Sequence, residues 1–357
     1  MRDNLQIYYT MLDQVISWLP EERITRLRNL CLFVTGLFLA GSVYLSKIAS
    51  ELPIRGKNPS LVNRLRRFLK NPRVAVRHFY RPVAEQVLGA FDGREIRLII
   101  DCTKLGFGHQ VMTVAIAYRK RALPLAWSVH RGSKGAVAVR KQIALLRYVQ
   151  RLLPRKSQVW LLGDSGFQHV PLLRWARCQG WHLVIRQTGH HKVRRTGGQW
   201  VKLADIPLKP GETRYWGWVR LTEKHAYGWV SLVLHWETGE DEPWYLVTDQ
   251  AADWRTIRLY KVRMWIEEMY GDMKGHGFDL EATHLRHRDR LSRLMLVNCM
   301  VYVCLLTLGS WVVKRGLRHL VDRKDRRDKS YFRIGWDWLK DRMRQGKSLR
   351  LQFVPYV

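Results

Sequence analysis

The chain has 357 residues, of which 46% are hydrophobic, and this is enough to bury a core and excludes a disordered basic tail. Its 62 Lys and Arg against 30 Asp and Glu give a formal net charge of +32. A field of that sign favours a polyanionic partner, either nucleic acid or an anionic membrane face.

The cysteines and the N-terminus indicate the compartment. The chain has 5 cysteines, an odd number, and no CxxC pair, so neither a zinc site nor a disulfide framework is indicated. The opening MRDNLQIYYTMLDQV lacks the layout of a signal peptide. We therefore expect a protein of a reducing cytoplasm.

Residues 1–85 have a helical pattern throughout and are expected to form an all-α domain. Within them, LSKIASEL, PIRGKNPS and LVNRLRRFLKN read as helix, turn and helix, with Ser60 as the N-cap of the second. That second helix has an apolar side, and its basic residues are Arg64, Arg66, Arg67 and Lys70. Such a helix fits a DNA major groove, and a solvated basic face on an ordinary helical bundle remains the alternative.

Residues 86–189 change to an α/β pattern. Three consecutive strands are predicted from REIRLIIDCT, VMTVAIAYRK and PLAWSVHRG, followed by a helix that begins at Ala136. QVWLLGDSGF then predicts a buried strand, VPLLRWARCQG a helix closed by Gly180, and WHLVIRQTG a further strand.

Residues 190–245 lose the helical pattern, and WVKLADI, RYWGWVRLT, YGWVSLVLHW and PWYLVT predict a β-rich insertion. Residues 246–314 return to helices, the first capped by Asp253 and the last spanning about 288–314. Residues 315–357 are strongly basic and are expected to form a surface-seated or DNA-facing segment.

Two apolar runs, Leu30–Leu45 and Leu294–Val313, raise the alternative of a membrane protein. The second run is long enough to span a bilayer. Arg and Lys flank both runs on both sides without the asymmetry that sets membrane topology, and Asn298 interrupts the second. Buried core helices are therefore expected, and no membrane partner.

Inside the helical stretch YKVRMWIEEMYGDMK, a helical wheel selects one of two adjacent glutamates. On a continuous helix, one narrow stripe opposite the apolar side contains Tyr260, Arg263, Glu267 and Lys274. Glu268 falls outside that stripe, on the rim. An acid between two cations indicates either a salt-bridged helix face or one ligand of a metal whose substrate is anionic.

Two aspartates lie where predicted strands end, Asp101 after Leu98–Ile100 and Asp164 after Trp160–Gly163. Sites form at such strand ends in α/β sheets, although a single Asp there is more often a turn former. Three converging carboxylates without Cys or His suit Mg²⁺, and two such ions support in-line displacement at phosphorus. Asp249 is the alternative to Asp164 if the fold places it nearer Asp101.

These residues resemble the DDE transposases of bacterial insertion sequences, in the group with a Tyr-x2-Arg-x3-Glu-x6-Lys signature. Tyr260, Arg263, Glu267 and Lys274 reproduce that spacing without a gap. Asp101 in LIIDCTKL resembles the family's first acid, and Asp164 in GDSGF resembles its second.

The resemblance implies a ribonuclease-H-like catalytic core, in two parts (86–189 and 246–314) separated by the β-rich insertion. It also implies an N-terminal domain that binds the element's inverted-repeat ends through the basic helix. Asp101, Asp164 and Glu267 would be catalytic and hold two Mg²⁺ ions, with Mn²⁺ as a substitute, while Tyr260, Arg263 and Lys274 would bind DNA phosphates.

By the same resemblance, a homodimer on paired double-stranded DNA ends would free 3′-hydroxyls by hydrolysis and join them to target DNA, in a bacterial cytoplasm and close to the nucleoid. Some relatives stack a flipped base on a tryptophan directly after the signature Arg. Here Met264 holds that position, so Trp265 and Trp254 are the candidates, and Trp244 is a further one.

Three rival functions stay open from the sequence. GDSGF is similar to the nucleophile turn of trypsin-like proteases, with Ser165 as the attacker, but the disulfides of that class are missing. A DNA-binding derivative without catalysis would not need the three acids, and another ribonuclease-H-like nuclease would not need Tyr260 and Lys274. The histidine pairs 190–191 and 284–287 have no third metal ligand nearby in the sequence.

Overall fold

Helices fill the part of the chain before the first strand. In the computed structural model, which describes residues 3–132 and 137–357, these are α1 (Asp3–Trp18), α2 (Ile24–Ala40), α3 (Leu45–Ser50), α4 (Asn58–Lys70) and α5 (Val76–Gly89). The predicted helical N-terminal part is therefore present, including the short helix and turn before α4. The prediction of Ser60 as an N-cap is wrong, because α4 begins two residues earlier with Pro59 in its first turn, where a missing N–H costs nothing.

The α/β part has the predicted order of elements. Its strands and helices are β1 (Ile96–Leu105), β2 (His109–Tyr118), β3 (Arg121–Arg131), α6 (Val139–Gln150), β4 (Val159–Gly163), α7 (Val170–Cys178) and β5 (His182–Gln187). The first three strands form an antiparallel meander, while β4 pairs in parallel with both β1 and β5. The predicted start of α6 at Ala136 lies outside the described residues.

The predicted insertion continues the same sheet. Its strands are β6 (Lys192–Arg195), β7 (Val201–Lys202), β8 (Thr213–Leu221) and β9 (Tyr227–His235), and β10 (Trp244–Thr248) joins them to β5. Among the described residues, the strand order is β3-β2-β1-β4-β5-β10-β9-β8-β6-β7. The predicted strand over WVKLADI is mostly wrong, because Leu203 turns into the core and a 3₁₀ turn follows over Leu203–Asp205.

The helical stretch with the two glutamates is two helices, α8 (Trp254–Arg263) and α9 (Trp265–Met273). Asp253 caps α8 as predicted, since its side chain accepts from the N–H of Arg255 at 2.9 Å. The assumption of one continuous helix is wrong. At Met264 the backbone bonds back three residues to Lys261, and this tighter turn rotates α9 relative to α8.

The long apolar helix α10 (Arg288–Lys314) is present as predicted and lies at the centre of the fold. By length and composition it is apolar enough to cross a membrane, but 89% of its most apolar window is buried inside the protein. It packs against β3, α2, α4, α5 and α11 (Tyr331–Arg344). This burial favours a core helix.

The basic C-terminal segment is more than a surface tail. α11 buries Phe332 and Trp336 and crosses α10 very closely. A Cβ on Gly309 would lie 1.7 Å from the Tyr331 carbonyl oxygen, and one on Gly335 would lie 1.9 Å from that of Leu305, so both crossing points require glycine. The expectation of a wholly surface-seated segment is wrong because its aromatic residues complete the core around α10.

Candidate active site

Asp101 and Asp164 lie at the same edge of the sheet. Ile100 on β1 is opposite Gly163 on β4, and the two strands run in parallel. The aspartates that follow these two residues therefore lie on neighbouring strands, which are about 4.8 Å apart. The structure thus brings the two acids together, but the prediction that Asp101 ends a strand is wrong. β1 continues beside β2 to Leu105, and Asp101 lies where the pairing with β4 stops.

The turn after β4 fixes Asp164. Its Oδ1 accepts a hydrogen bond of 2.9 Å from the N–H of Gly166, which caps a 3₁₀ turn over Ser165–Phe167. The residue before it is closely packed, because a Cβ on Gly163 would lie 3.1 to 3.3 Å from side-chain atoms of Ile185, Phe167 and Ile100 and would require them to shift. The sequence GDSGF is therefore a tight strand exit with one oxygen of Asp164 held by the backbone.

Arg263 connects the first strand to the predicted third acid. Arg263 is only 7% exposed, and its guanidinium lies 3.7 Å from Oδ2 of Asp101 and forms an ion pair with Oε1 of Glu267. Glu267 is near the start of α9, and its side chain is 55% exposed. The charge of Asp164 also acts on this guanidinium, so all three predicted acids lie near one buried cation.

The other two signature residues differ in exposure. Lys274 lies one residue beyond α9, where its Nζ donates to Oγ1 of Thr103 at 2.8 Å and pairs with Glu281 at 2.6 Å. Thr103 shares a face of β1 with Asp101, because side chains alternate along a strand. Tyr260 is fully buried, with its ring 5.1 Å from that of Trp244. Arg263 and Glu267 share a face as predicted, since they form an ion pair, but Tyr260 and Arg263 are buried, so along α8 this face is covered by other parts of the fold.

Asp101 has the most perturbed carboxyl group of the site. Burial raises its pKa to about 7; Arg263 opposes this shift, while the neighbouring charges of Asp164 and Glu267 add to it. The main-chain N–H of Cys102 also lowers this pKa. Two further acids thus place negative charge beside one buried carboxyl group, which favours its protonated form.

This pKa predicts a pH dependence of stability for the metal-free protein. Between the ordinary value of 3.8 and about 7, the folded state keeps a proton on Asp101 that the unfolded state releases. Stability should therefore fall as the pH rises through this window, by up to about 1.4 kcal/mol for each unit of pKa difference. Denaturant unfolding in EDTA at pH 4.5 to 7.5 measures it. Asp101→Asn should flatten the curve, and an equally steep curve in that variant would contradict the assignment.

The donor set fits a hard divalent cation, although the side chains are not arranged around one. Three carboxylates without thiol or imidazole are the oxygen ligands that Mg²⁺ prefers. In the described part of the chain, no three His, Cys, Asp or Glu side chains already lie close enough together to hold a metal. The Arg263 guanidinium neutralises Asp101 and Glu267 instead. Glu267 is the exposed member and can change rotamer without repacking the core.

A buried ion pair that was not predicted holds α9 in place. Arg121 on β3 donates to Oδ2 of Asp272 at 2.7 Å and to Oε2 of Glu268 at 2.9 Å. The Asp272 side chain is 6% exposed, whereas that of Glu268 is 57% exposed. Glu268 is thus a rim residue as predicted, but Asp272 fixes the rotation of the helix that carries Glu267. The only sequence signal was the i, i+4 spacing of these two acids.

We expect Arg121→Met to lower the free energy of unfolding by about 3–5 kcal/mol, because it leaves the Asp272 carboxylate buried without its cation. Glu268→Gln should cost at most about 1 kcal/mol, since that end of the network is exposed. Urea unfolding of the two variants measures both effects. Equal losses would show that the buried arm does not dominate.

The basic residues of α4 are all exposed, and its apolar side is buried as predicted. Two clefts flank the helix, one lined by Arg66 and Lys70 and the other by Arg64 and Arg67. Their exposure makes them accessible to DNA, and nothing in the structure brings them to the three acids.

Two of the tryptophan candidates share a separate cleft. Trp254 and Trp265 line a cavity of about 810 Å³ together with Glu95 and Arg97 at the start of β1. That place is four to six residues before Asp101, or about 13–20 Å along the strand. The structure therefore places both indoles toward the other end of β1 from the acids.

Asp249 belongs to the opposite edge of the sheet. β10 runs antiparallel to β5, so Asp249, which follows β10, lies at the start of β5. There its carboxylate accepts a hydrogen bond from the N–H of Leu183 at 2.8 Å and contacts Nδ1 of His182 at 2.8 Å. This geometry retains Asp164 as the partner of Asp101. His191 contacts Gln187, and Ser165 lies within the 3₁₀ turn after Asp164.

The chain matches the family model described as the transposase DDE domain over residues 85–304. Since the match covers well over half of the residues, the chain belongs to this family of DDE transposases, and its functions are those of DNA transposition and recombination. The matched range contains all three candidate acids.

No curated protein sequence is significantly similar to the chain. Among solved structures it is similar to a cryo-EM structure of the piggyBac transposase synaptic complex with hairpin DNA. That similarity has a TM-score of 0.47 and 11% sequence identity, and it covers 97% of this chain and 82% of that chain. Such a likeness is too weak to define the fold by itself.

Proposed function

We propose that this transposase belongs to the bacterial insertion-sequence group and cleaves DNA at the ends of its element, then joins the freed 3′-hydroxyl to target DNA. The observation that carries the proposal is the grouping of Asp101, Asp164 and Glu267 around Arg263 at one edge of the sheet. The sheet order, with a three-strand meander followed by two parallel strands, supports a ribonuclease-H-like core at residues 86–189 and 246–314.

In this proposal, Asp101, Asp164 and Glu267 would hold two Mg²⁺ ions, and Mn²⁺ would substitute. When bound, the ions would activate the attacking water or 3′-hydroxyl and stabilise the leaving oxygen. Asp164 is held by the backbone of its turn, and Asp101 by its burial, so these two are preorganised. Glu267 would complete the group by leaving its ion pair with Arg263.

Two cations of the signature are placed to hold phosphates. Once Glu267 has turned away, the Arg263 guanidinium would present its donors to a phosphate oxygen, as guanidinium groups commonly do. Lys274, anchored to Thr103 on the strand of Asp101, would hold a neighbouring phosphate. Because Tyr260 is buried, we assign it a supporting place behind Arg263 rather than a phosphate contact.

The basic helix α4 would bind the inverted-repeat ends of double-stranded DNA through Arg64, Arg66, Arg67 and Lys70. A homodimer would pair two such ends, in a bacterial cytoplasm at the nucleoid. The exposed basic residues and the net charge of +32 support this partner.

The test is incubation of the purified protein with labelled duplex DNA from the flanks of its coding sequence, with Mg²⁺, with Mn²⁺ or with EDTA. We expect cleavage with either metal and none with EDTA, and joining of the freed 3′ end to a supercoiled plasmid. End binding with no cleavage under either metal would favour the catalytically inactive derivative. Cleavage without any joining would favour a ribonuclease-H-like nuclease.

A further inference from the structure

One surface of the insertion carries a row of two neighbouring arginines with a tryptophan at each end. Arg194 on β6 lies opposite Arg220 on β8. The Arg220 guanidinium lies 4.9 Å from the ring centroid of Trp229 on β9, and the Arg194 guanidinium lies 5.0 Å from that of Trp200. We call these four residues, Trp200, Arg194, Arg220 and Trp229, the indole–guanidinium row.

The row faces away from the core. Val193, Val219 and Leu221 are at most 1% exposed, and they alternate along β6 and β8 with the two arginines. Because successive side chains point to opposite faces of a sheet, the arginines lie on the outer face. Trp229 is 38% exposed there.

The two guanidinium groups lack a counter-charge. Neither Arg194 nor Arg220 has an ion pair to any residue in the described ranges, 3–132 and 137–357. A nearby acid, Glu223, is already paired with Lys192 at 2.6 Å. Like charges directly opposite each other on neighbouring strands are unfavourable, so a bridging anion would stabilise the pair.

The row is also too far from the acids to belong to the same site. β9, β8 and β6 are four, five and six places from β1 in the sheet, or about 20–30 Å at the usual strand spacing. That distance corresponds to about six to nine base pairs of duplex, at about 3.4 Å per pair.

We propose that the indole–guanidinium row is a second binding surface for the phosphate backbone of duplex DNA, outside the base pairs at the cleavage position. The proposal rests on the proposed function in that the partner is DNA. Flat guanidinium groups match phosphate oxygens with two parallel hydrogen bonds, and stacking on indole holds them in place without neutralising them. Backbone contacts of this kind are independent of base sequence.

The test measures binding of the protein to a duplex of arbitrary sequence, about 30 base pairs long, as a function of salt concentration. Replacing two phosphate-binding charges should reduce the slope of log affinity against log salt by about 1.8. We therefore expect this decrease for the double variant Arg194→Gln/Arg220→Gln. The matched control Arg151→Gln/Arg155→Gln removes two exposed charges beyond α6 and should keep the slope of the wild type.

Three outcomes would overturn the proposal: an unchanged slope in the double variant, an equal change in the control, or tighter binding of unpaired oligonucleotides than of duplex. If the glutamine double variant fails to fold, Arg194→Lys/Arg220→Lys replaces it, because lysine keeps both charges but not the flat guanidinium that stacks on indole. This variant should keep the salt slope of the wild type and bind the duplex severalfold more weakly. Binding as tight as that of the wild type would refute the role of the row. Cleavage assays separate the two proposals. If the wild-type protein cleaves DNA and the double variant keeps the wild-type salt slope, only the proposal for the row is refuted. If the double variant has the smaller slope but the wild-type protein does not cleave DNA, only the proposed function is refuted.

Discussion

Replacement of Asp101, Asp164 or Glu267 by alanine is expected to reduce cleavage of the element's ends by at least about a thousandfold, which is about 4 kcal/mol of transition-state stabilisation. Each change removes one of three carboxylates that are grouped around the same cation. Because the basic residues of α4 are untouched, end binding should remain within about twofold of the wild type. Cleavage of labelled ends and band-shift titration measure the two effects.

Glu268→Ala is the matched control, because this residue is adjacent to Glu267 on α9 and its side chain is equally exposed, at 57% against 55%. The cleavage rate of this variant should stay within about tenfold of the wild type, since Glu268 contacts Arg121 and none of the three acids. Unchanged cleavage in any one of the three acid variants would remove that residue from the site.

Arg263→Met is expected to be the most disruptive change of a single cation in the site. It would force the buried Asp101 either to stay charged without its guanidinium or to take up a proton, at a cost of up to about 3–5 kcal/mol in the free energy of unfolding. Since Arg263 lowers the pKa of Asp101, its loss should also raise that pKa further above about 7 and leave the group protonated at neutral pH. Urea unfolding and cleavage at pH 7.5 measure both consequences.

A double-mutant cycle isolates this interaction. In the Asp101→Asn background no buried carboxylate remains on β1 to be stranded, so the same Arg263→Met change should cost at least about 1 kcal/mol less. Costs that are equal in the two backgrounds would show that Arg263 stabilises the fold through packing and its contact with Glu267, and not through Asp101.

The first two acids could be selected from the sequence because the signal for each one, an apolar run followed by Asp, is local. Each apolar run that ends in Asp predicted a strand, and parallel pairing of β1 with β4 places the two aspartates side by side, Asp164 at the end of β4 and Asp101 inside the longer β1. The same topology excluded Asp249, which follows an antiparallel strand and therefore lies at the other edge. Strand direction was the part that the local pattern did not contain.

The glutamate helix was predicted less well. The wheel separated Glu267 from Glu268, and in the structure they contact different cations, Arg263 and Arg121. It assumed an unbroken helix and gave no sign that Tyr260 is buried. The turn at Met264 contains no Pro or Gly, so the sequence gave no signal that predicts a break in the helix there. Tertiary packing, with Tyr260 against Trp244, decides the orientation of α8.

Long-range pairs were the other missing part. Arg121 and Asp272 are 151 residues apart in the chain, and nothing in the sequence near either one indicates the other. The same holds for α11, whose basic composition suggested a surface although its aromatic residues and Gly335 pack tightly on α10. α11 is amphipathic, and its many charged residues made its apolar, core-facing side difficult to recognise in the sequence.

The most direct test of the central claim is the location of Mn²⁺ by anomalous diffraction in crystals of the protein grown with that ion. We expect anomalous peaks within coordination distance of carboxylate oxygens from Asp101, Asp164 and Glu267. The Glu267 side chain should be turned away from Arg263. Saturating Mn²⁺ with no peak at these three residues, and Glu267 still paired with Arg263, would contradict the claim.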